Sequence, residues 1–276
     1  MLAILVLVFI CVGPLLLLLA SGYSFKDVVS LTKISILRTG GIYVASVGSN
    51  ASVYIDNKLA GTSSFLDRSV LVQGLTTKQH TVRVERPEYR TWEKKVGISP
   101  NKVTQIYPVL ISKQVSFVSV KSSADISSLN KAYAKKVDLI ISTTTGDIIF
   151  DDSKISLTIL KDNINIIWKD TEDSPQYMCT LNNCESELNI TASEQVLDAE
   201  LYKGSQSGLI VLGKDHIFIT ELDSRGGRIS IPVFSASDFK ISNFNKSALV
   251  SFKGSTYLKN SGNYYKLNLE PTPISS

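Results

Sequence analysis

Residues 51–62 read ASVYIDNKLAGT, and this stretch decides the fold class. Val53 and Ile55 alternate with more polar residues, a spacing that places the two aliphatic side chains on one face of a β-strand. The dipeptide Asp56-Asn57 follows, and both residue types tolerate the backbone conformations of a tight turn. The remaining residues then return as a second strand. The stretch therefore predicts a β-hairpin.

The same alternation continues on both sides of this hairpin. Between His80 and Arg86, valines at positions 82 and 84 alternate with polar and charged residues, which indicates a half-buried strand. Pro87 ends that strand, because proline has no backbone N–H to donate to a sheet. About seven short strands separated by turns in roughly 70 residues indicate a small β-sandwich over residues 39–111.

A pattern of glycines, aromatic residues and alternating apolar residues runs through this sandwich. Its members are Gly41-Ile42-Tyr43, Ser46, the run from Ala51 to Lys58, Gly61-Thr62-Ser63, Leu75, Val82, Val84, Glu88-Tyr89 and Trp92. The pattern resembles the PEGA domain, a small immunoglobulin-like β-sandwich of surface-associated bacterial and archaeal proteins. The sequence departs from the family in one turn, where Gly48-Ser49-Asn50-Ala51 stands in place of Pro-Glu-Gly-Ala. It also has Lys78 and Glu88 where the family has glycine.

Residues 137–270 contain a second series of hairpin-like units. Two of these units, at 209–219 and 248–258, lie about 40 residues apart, which is a blade period for a β-propeller. We therefore expect an all-β chain whose second domain consists of propeller-like antiparallel repeats, with a second β-sandwich as the alternative. Residues 112–136 are predicted to be a linker with a short helix at 127–135, and residues 271–276 a tail.

The first 22 residues carry a different signal. From Met1 to Ala20 only Gly13 and Pro14 interrupt apolar side chains. About 20 helical residues span roughly 30 Å, the thickness of the bilayer's hydrocarbon core. We expect a transmembrane helix over residues 1–22 and a juxtamembrane spacer over 23–38. The alternative of a cleaved signal peptide stays open, because small residues at positions 20–22 suit a cleavage site.

Two signals conflict on the orientation of this segment. Lys26, Lys33 and Arg38 follow the apolar run and no basic residue precedes it, so the positive-inside rule would keep the following domains in the cytoplasm. Cys179 and Cys184 lie at hairpin spacing around an Asn-Asn turn, and in an oxidising compartment they should form a disulfide. Together with the all-β composition, the cysteines favour a single-pass membrane protein with most of its chain extracytoplasmic.

The sequence offers few candidates for chemistry. It has two histidines and no recognisable catalytic triad or metal motif, so we expect no catalytic, cofactor-binding or metal-binding residues and no enzyme. The net charge is +4 without a run of five like charges, which argues against nucleic-acid binding. Tyr54, Tyr89 and Trp92 are candidates for stacking on a ligand, although such residues in a small sandwich more often belong to the core.

The order of the segments also resembles a group of bacterial PEGA proteins, in which a membrane segment precedes a PEGA domain and propeller-like repeats. The resemblance implies a membrane-anchored, non-enzymatic protein of the cell surface. The PEGA domain would act as a stalk or envelope-binding unit, and the repeats as a docking surface for protein or polysaccharide. The alternatives are an envelope sensor or enzyme with a site in the repeat domain, and a structural component of a surface layer.

Overall fold

The computed structural model is all-β in character, with several antiparallel sheets and little helix. The residues that it describes are 6, 8–10, 12–14, 16, 23–26, 35–45, 47–143, 146–151, 154–170, 172, 174–179, 183–202 and 207–270. The chain forms two compact units, which we describe separately. Unit 1 comprises residues 1–87 and 91–110, and unit 2 comprises residues 88–90 and 111–276.

Unit 1 contains two sheets of short strands. The strands are β1 (Tyr23–Lys26), β2 (Ser35–Val44), β3 (Ser52–Ile55), β4 (Lys58–Thr62), β5 (Val70–Thr76), β6 (Gln79–Glu85), β7 (Trp92–Gly97) and β8 (Val103–Ile106). One sheet has the order β1-β2-β5, with β8 added parallel to β2, and the other has the order β4-β3-β6-β7. The arrangement is the sandwich-like one that the sequence predicts.

The hairpin of residues 51–62 forms as predicted. Ile55 of β3 pairs with Lys58 of β4, and the two turn residues between them have φ angles of 49° and 65°. The alternation in β6 also has its expected result, since Val82 and Val84 are fully buried in the core of unit 1. Burial of such aliphatic faces is the main stabilising contribution in a domain of this kind.

Unit 2 contains three antiparallel sheets and one long helix. Its elements are β9 (Ser116–Ser119), α1 (Ser123–Leu139), β10 (Ile141–Thr143), β11 (Gly146–Asp151), β12 (Ile155–Leu160), β13 (Asn163–Trp168), β14 (Glu187–Thr191), β15 (Val196–Leu201), β16 (Gly208–Gly213), β17 (His216–Glu221), β18 (Ser230–Ser235), β19 (Ser247–Phe252), β20 (Ser255–Asn260) and β21 (Asn263–Asn268). The sheets have the orders β10-β11-β12-β13-β14, β15-β16-β17-β18 and β19-β20-β21-β9.

Antiparallel repeats are therefore present in unit 2, but a closed propeller is not shown. In the described residues, the first two sheets are meanders, and the third is a meander of β19, β20 and β21 to which β9 is added. The three sheets do not close into a ring. The repeat spacing indicates hairpins reliably, because it reflects strand and turn lengths. It carries less information about how successive sheets are arranged around one another.

The predicted linker, residues 112–136, is more ordered than the sequence indicates. It contains β9, which pairs with β21, and most of helix α1, which runs well beyond the predicted 127–135. Ser122 caps this helix by accepting a hydrogen bond from the backbone N–H of Asp125 at 3.3 Å. The composition predicts a linker because this segment is rich in serine and lysine. The helix keeps that composition because only a few of its side chains, such as Leu129, are buried.

The predicted membrane segment, residues 1–22, falls mostly outside the described residues. Those that are described there, at 6, 8–10, 12–14 and 16, are helical. No helix within the described part of the chain has the length and hydropathy needed to cross a membrane. In the predicted spacer, β1 pairs antiparallel with the first residues of β2. The predicted tail, residues 271–276, lies outside the described residues.

Candidate functional site

A groove at one end of unit 1 is the best-defined candidate for a binding site. It has a volume of about 330 Å³. Its lining combines two guanidinium groups with two hydroxyl groups, on residues from the end of β2, the loop before β5 and the segment after β6. The lining residues are Tyr43, Ala45, Gly48, Arg68, Ser69 and Arg86. We call this the arginine groove.

The loop after β2 gives the arginine groove its shape. Gly48 has a φ of +75°, and a Cβ atom built on it would lie only 2.7 Å from Cζ of Arg86. The backbone conformation therefore favours glycine here, and the absence of a Cβ atom leaves room for the guanidinium. Ser63, which is buried, fixes the same loop, since its hydroxyl donates to the carbonyl of Gly48 at 2.6 Å and accepts from the N–H of Ala51 at 2.9 Å.

The loop before β5 supplies Arg68 and a tightly hydrogen-bonded turn. The N–H of Ser64 donates to the carbonyl of Asp67 at 2.8 Å, and the N–H of Asp67 donates to the Ser64 hydroxyl at 2.9 Å. The side chains at the tip of this turn, Phe65 and Leu66, are 77% and 94% exposed. The loop is held to the body of unit 1 by the hydrogen bond from the N–H of Val47 to the carbonyl of Arg68.

The chemistry of the arginine groove suits binding of an anion. Guanidinium groups offer several N–H donors in a fixed plane and pair well with carboxylate or phosphate oxygens. The hydroxyl group of Tyr43 is a further possible donor, whereas the Ser69 hydroxyl already donates to the Asp67 carboxylate. The rest of the lining is formed by the small residues Ala45 and Gly48.

A buried ion-pair cluster in unit 2 is the strongest charged cluster outside this groove. Nζ of Lys136, on α1, lies 2.8 Å from both carboxylate oxygens of Asp198 and 3.0 Å from Glu200, both on β15. It also donates to the carbonyl of Leu249 on β19 at 2.9 Å. The Ser251 hydroxyl completes the cluster by donating to Glu200.

Burial by itself would lower the pKa of Lys136. The charges and hydrogen bonds of Asp198 and Glu200 outweigh that effect and leave the pKa of Lys136 above its ordinary value. The ammonium group is thus held charged and enclosed by its partners. This cluster fixes α1 to two strands and leaves no reactive group open to a substrate.

A smaller polar pair closes the first hairpin of unit 1. Nδ1 of His80 lies 2.8 Å from Asp56, and Nε2 lies 2.8 Å from the carbonyl of Thr76, so both ring nitrogens are used within the fold. Burial tends to raise the pKa of Asp56, but hydrogen bonds from His80 and the Thr81 N–H, with the charge of His80, bring it below its ordinary value. His80 is only 5% exposed and is a structural residue.

The disulfide predicted from the sequence is present. Cys179 and Cys184 are bonded and also form an isolated antiparallel bridge. Close to this bridge in sequence, burial raises the pKa of the Tyr177 hydroxyl well above its ordinary range. The charges near Tyr177 include Asp223 and Arg225, which pair through three side-chain hydrogen bonds of 2.8, 3.0 and 3.2 Å.

The three aromatic candidates do not form a common exposed face. Tyr54 is partly buried and lies beneath the guanidinium of Arg83, 4.4 Å from its ring centroid. Trp92 is 4% exposed and belongs to the core of unit 1. Tyr89 belongs to unit 2, is 6% exposed and donates its hydroxyl hydrogen to Glu270. Stacking on a ligand would require more free ring surface than Tyr89 and Trp92 offer.

The sequence analysis did not identify the arginine groove. Arg68 and Arg86 lie 18 positions apart in different segments, and no spacing rule relates such residues before the fold is known. One sequence feature does point to this region of unit 1: Phe65-Leu66 is an apolar pair inside an otherwise polar loop. As to metals, the described part of the chain contains no group of three or more potential ligands.

Comparisons with known proteins agree with the sandwich-like fold of unit 1. A search of curated proteins finds no match. Among solved structures, one similar chain is a protein of unknown function from Bacteroides fragilis that has been suggested to be membrane-associated. The two share 12% identity over 83% of this chain and 94% of the other, with a TM-score of 0.21, which supports no argument about fold or function. Residues 39–114 match the family model of the PEGA domain, and the chain is therefore a PEGA-domain protein.

Proposed function

We propose that this chain is a membrane-anchored, non-enzymatic binding protein whose two folded units face the extracytoplasmic side. Residues 1–22 serve as its single transmembrane helix. The arginine groove of unit 1 binds an anionic group of the cell envelope. The sheets of unit 2 form a docking surface for envelope polysaccharide or surface proteins.

The disulfide between Cys179 and Cys184 is the observation that carries this proposal. Disulfides persist in oxidising compartments and are rare in the cytosol, where thiols are kept reduced. The apolar stretch from Met1 to Ala20 supplies a route to such a compartment. The three basic residues that follow it are weaker evidence for the opposite orientation, because the rule concerns a bias and not an absolute barrier.

Two features favour binding over catalysis. The groove is lined by donors for an anion. The charged groups of unit 2 that could have served chemistry are paired with one another, as in the cluster of Lys136, Asp198 and Glu200. A charged group that is paired with charged partners inside the protein stabilises the fold and is poorly placed to exchange protons with a substrate.

A thiol-accessibility assay on membranes tests the proposed location. The full chain is denatured and treated with a maleimide reagent of known mass, with and without prior reduction. We expect two additional thiols to react only after reduction, and the Cys179→Ala/Cys184→Ala variant to show no such increase. Reaction of all three thiols of the chain, including that of Cys11, without reduction would place the units in the cytoplasm and overturn the proposal.

For the fold of unit 2, we propose an atypical propeller in which the three sheets act as blades. Each sheet has four or five antiparallel strands, and sheets of four antiparallel strands are typical propeller blades. The first two sheets share one hydrophobic core, which includes Leu157 and Leu209. Phe117 of the third sheet stacks on Phe239, which also contacts Phe234 of the second sheet. Helix α1 contacts β11 and β19 and so fills the space between the first and third sheets.

An experimental structure of the full chain tests this arrangement. We expect the first and third sheets to lie on either side of α1. An extended row of sheets, with α1 against only one of them, would overturn it.

A further inference from the structure

The turn of residues 64–67 in unit 1 presents an unusual apolar surface to solvent. Phe65 and Leu66 are the two most exposed of its large hydrophobic side chains, at 77% and 94%. The turn is ordered by hydrogen bonds between Ser64 and Asp67, and the N–H of Ser69 also donates to the Asp67 carboxylate at 3.1 Å. A turn that is fixed in this way holds its two apolar side chains outward with little further loss of conformational entropy.

The turn of residues 64–67 lies at the end of the sheet at which β2 ends and β5 begins. The turn lies just before β5, whose first residue, Val70, pairs with Val44 at the end of β2. β1 runs antiparallel to β2, with Tyr23 opposite Arg38, the fourth of the ten residues of β2. The apolar stretch that ends at Ala20 precedes β1 by only two residues.

Positive charge lies next to the apolar tip. Arg68 follows the turn directly and is exposed, and Arg86 lines the same groove. The Asp67 carboxylate, next to the apolar pair, accepts hydrogen bonds from the N–H and the hydroxyl of Ser69. An exposed aromatic and aliphatic pair beside a groove with two guanidinium groups is complementary to the boundary of an anionic bilayer. Apolar side chains gain free energy by leaving water there, and basic groups are attracted to the phosphates.

We propose that unit 1 docks on an anionic lipid bilayer through this turn. Phe65 and Leu66 insert between the lipid headgroups, while the arginine groove binds a lipid phosphate through Arg68 and Arg86. The docking rests on the membrane attachment in the proposed function, since the anchor brings the turn close to the surface. The docking proposal identifies the anionic group that the arginine groove binds as a phospholipid of the membrane in which the chain is anchored.

Quenching of a tryptophan at the tip tests the docking. The full-length Phe65→Trp variant is reconstituted into nanodiscs that contain brominated lipids, with or without an anionic lipid. The natural tryptophans give a constant background that the brominated lipids do not quench, because Trp92 and Trp168 are 4% and 1% exposed. Leu59→Trp is the matched control, since Leu59 is 60% exposed near the 56–57 turn, at the other end of β4 from residues 64–67.

We expect strong quenching of Phe65→Trp in anionic nanodiscs, weaker quenching in neutral ones and little quenching of Leu59→Trp in either. Arg68→Gln in the Phe65→Trp background should weaken docking by about fivefold, the contribution of one basic residue near a charged bilayer. Lys58→Gln makes the same change of charge on the exposed far hairpin and should leave docking unchanged.

Equal quenching at positions 59 and 65, or no quenching at position 65, would overturn the docking proposal. Strong quenching of Phe65→Trp that does not depend on anionic lipid would also overturn it, because the arginines would then have no phosphate-binding role. Quenching that disappears when a protein partner is added would show that the turn is a protein-binding site. Failure of the chain to enter nanodiscs would contradict the anchor itself, which is a separate failure of the proposed function.

Discussion

At the scale of single residues, Glu88 shows where this chain departs from its family at a cost. The PEGA family has glycine at this position, and Glu88 adopts a φ of 64° here. The left-handed conformation is unfavourable for residues with a Cβ atom. Lys78, which also stands where the family has glycine, does not have a positive φ. Glu88 thus has a backbone conformation that favours glycine, whereas Lys78 does not.

The substitution Glu88→Gly should stabilise the protein by about 0.5–1 kcal/mol, since it removes this strain but increases the freedom of the unfolded chain. Glu88 is exposed, so little packing is lost. Denaturant unfolding would measure the change. Glu88→Ala is the control, because alanine keeps the Cβ atom, and a glycine variant no more stable than the alanine variant would contradict the explanation.

The lowered pKa of Asp56 predicts that the folded protein loses stability in acid. Its pKa is below the ordinary value of 3.8 in the folded protein, so its favourable interaction is complete above that pH and is lost as the pH falls through the folded value. Asp56→Asn keeps a residue that tolerates φ of 49° but removes the charge. We expect wild-type protein to exceed the variant in stability near neutrality and the two to converge in acid. A difference that stays constant from neutral pH into acid would rule out this role.

At the scale of elements, α1 depends on a contact that lies far away in sequence. Lys136 reaches Asp198 and Glu200, which lie 62 and 64 residues further along the chain. Removing one partner of a buried ion pair leaves the others uncompensated. Helix α1 is therefore held by charge at its C-terminal part and by Leu129 nearer its middle.

Lys136→Met should destabilise the protein by about 3–5 kcal/mol, because two buried carboxylates lose their counter-charge. Thermal unfolding followed by circular dichroism would measure it. Lys135→Met is the control, since Lys135 is exposed and its replacement should have almost no effect. Similar losses in both variants would mean that helix propensity, and not the buried cluster, fixes α1.

The elements also show what the sequence could predict. Strand alternation around Val53 and Val82, the turn at Asp56-Asn57 and the disulfide are local patterns, and the structure confirms them. The length of α1 and the arginine groove depend on residues that come together only in the fold. No local pattern could reveal the length of α1 or the groove. The contact of Lys136 with Asp198 and the shared position of Arg68 and Arg86 in one groove are set by the tertiary structure.

At the scale of the whole molecule, the proposed anchor should keep the protein in the membrane. We expect the intact chain, at its full mass of 30.2 kDa, to remain in the membrane pellet after an alkaline carbonate wash. A variant lacking residues 1–22 should be released, provided that it is exported by a substitute cleavable signal. Recovery of a soluble protein that begins near residue 21 would support the signal-peptide alternative.

The pairing of β9 with β21 has a consequence for how the chain is made. Residues 116–119 find their partner strand at 265–268, so β9 has no ladder until nearly 150 further residues have been added. At roughly 5–20 residues per second this delay lasts about 7–30 s. During that time an unpaired strand edge is exposed, which is a hazard for aggregation. Biogenesis of unit 2 should therefore be slow to complete and should benefit from a chaperone that shields β9 until synthesis has passed residue 268.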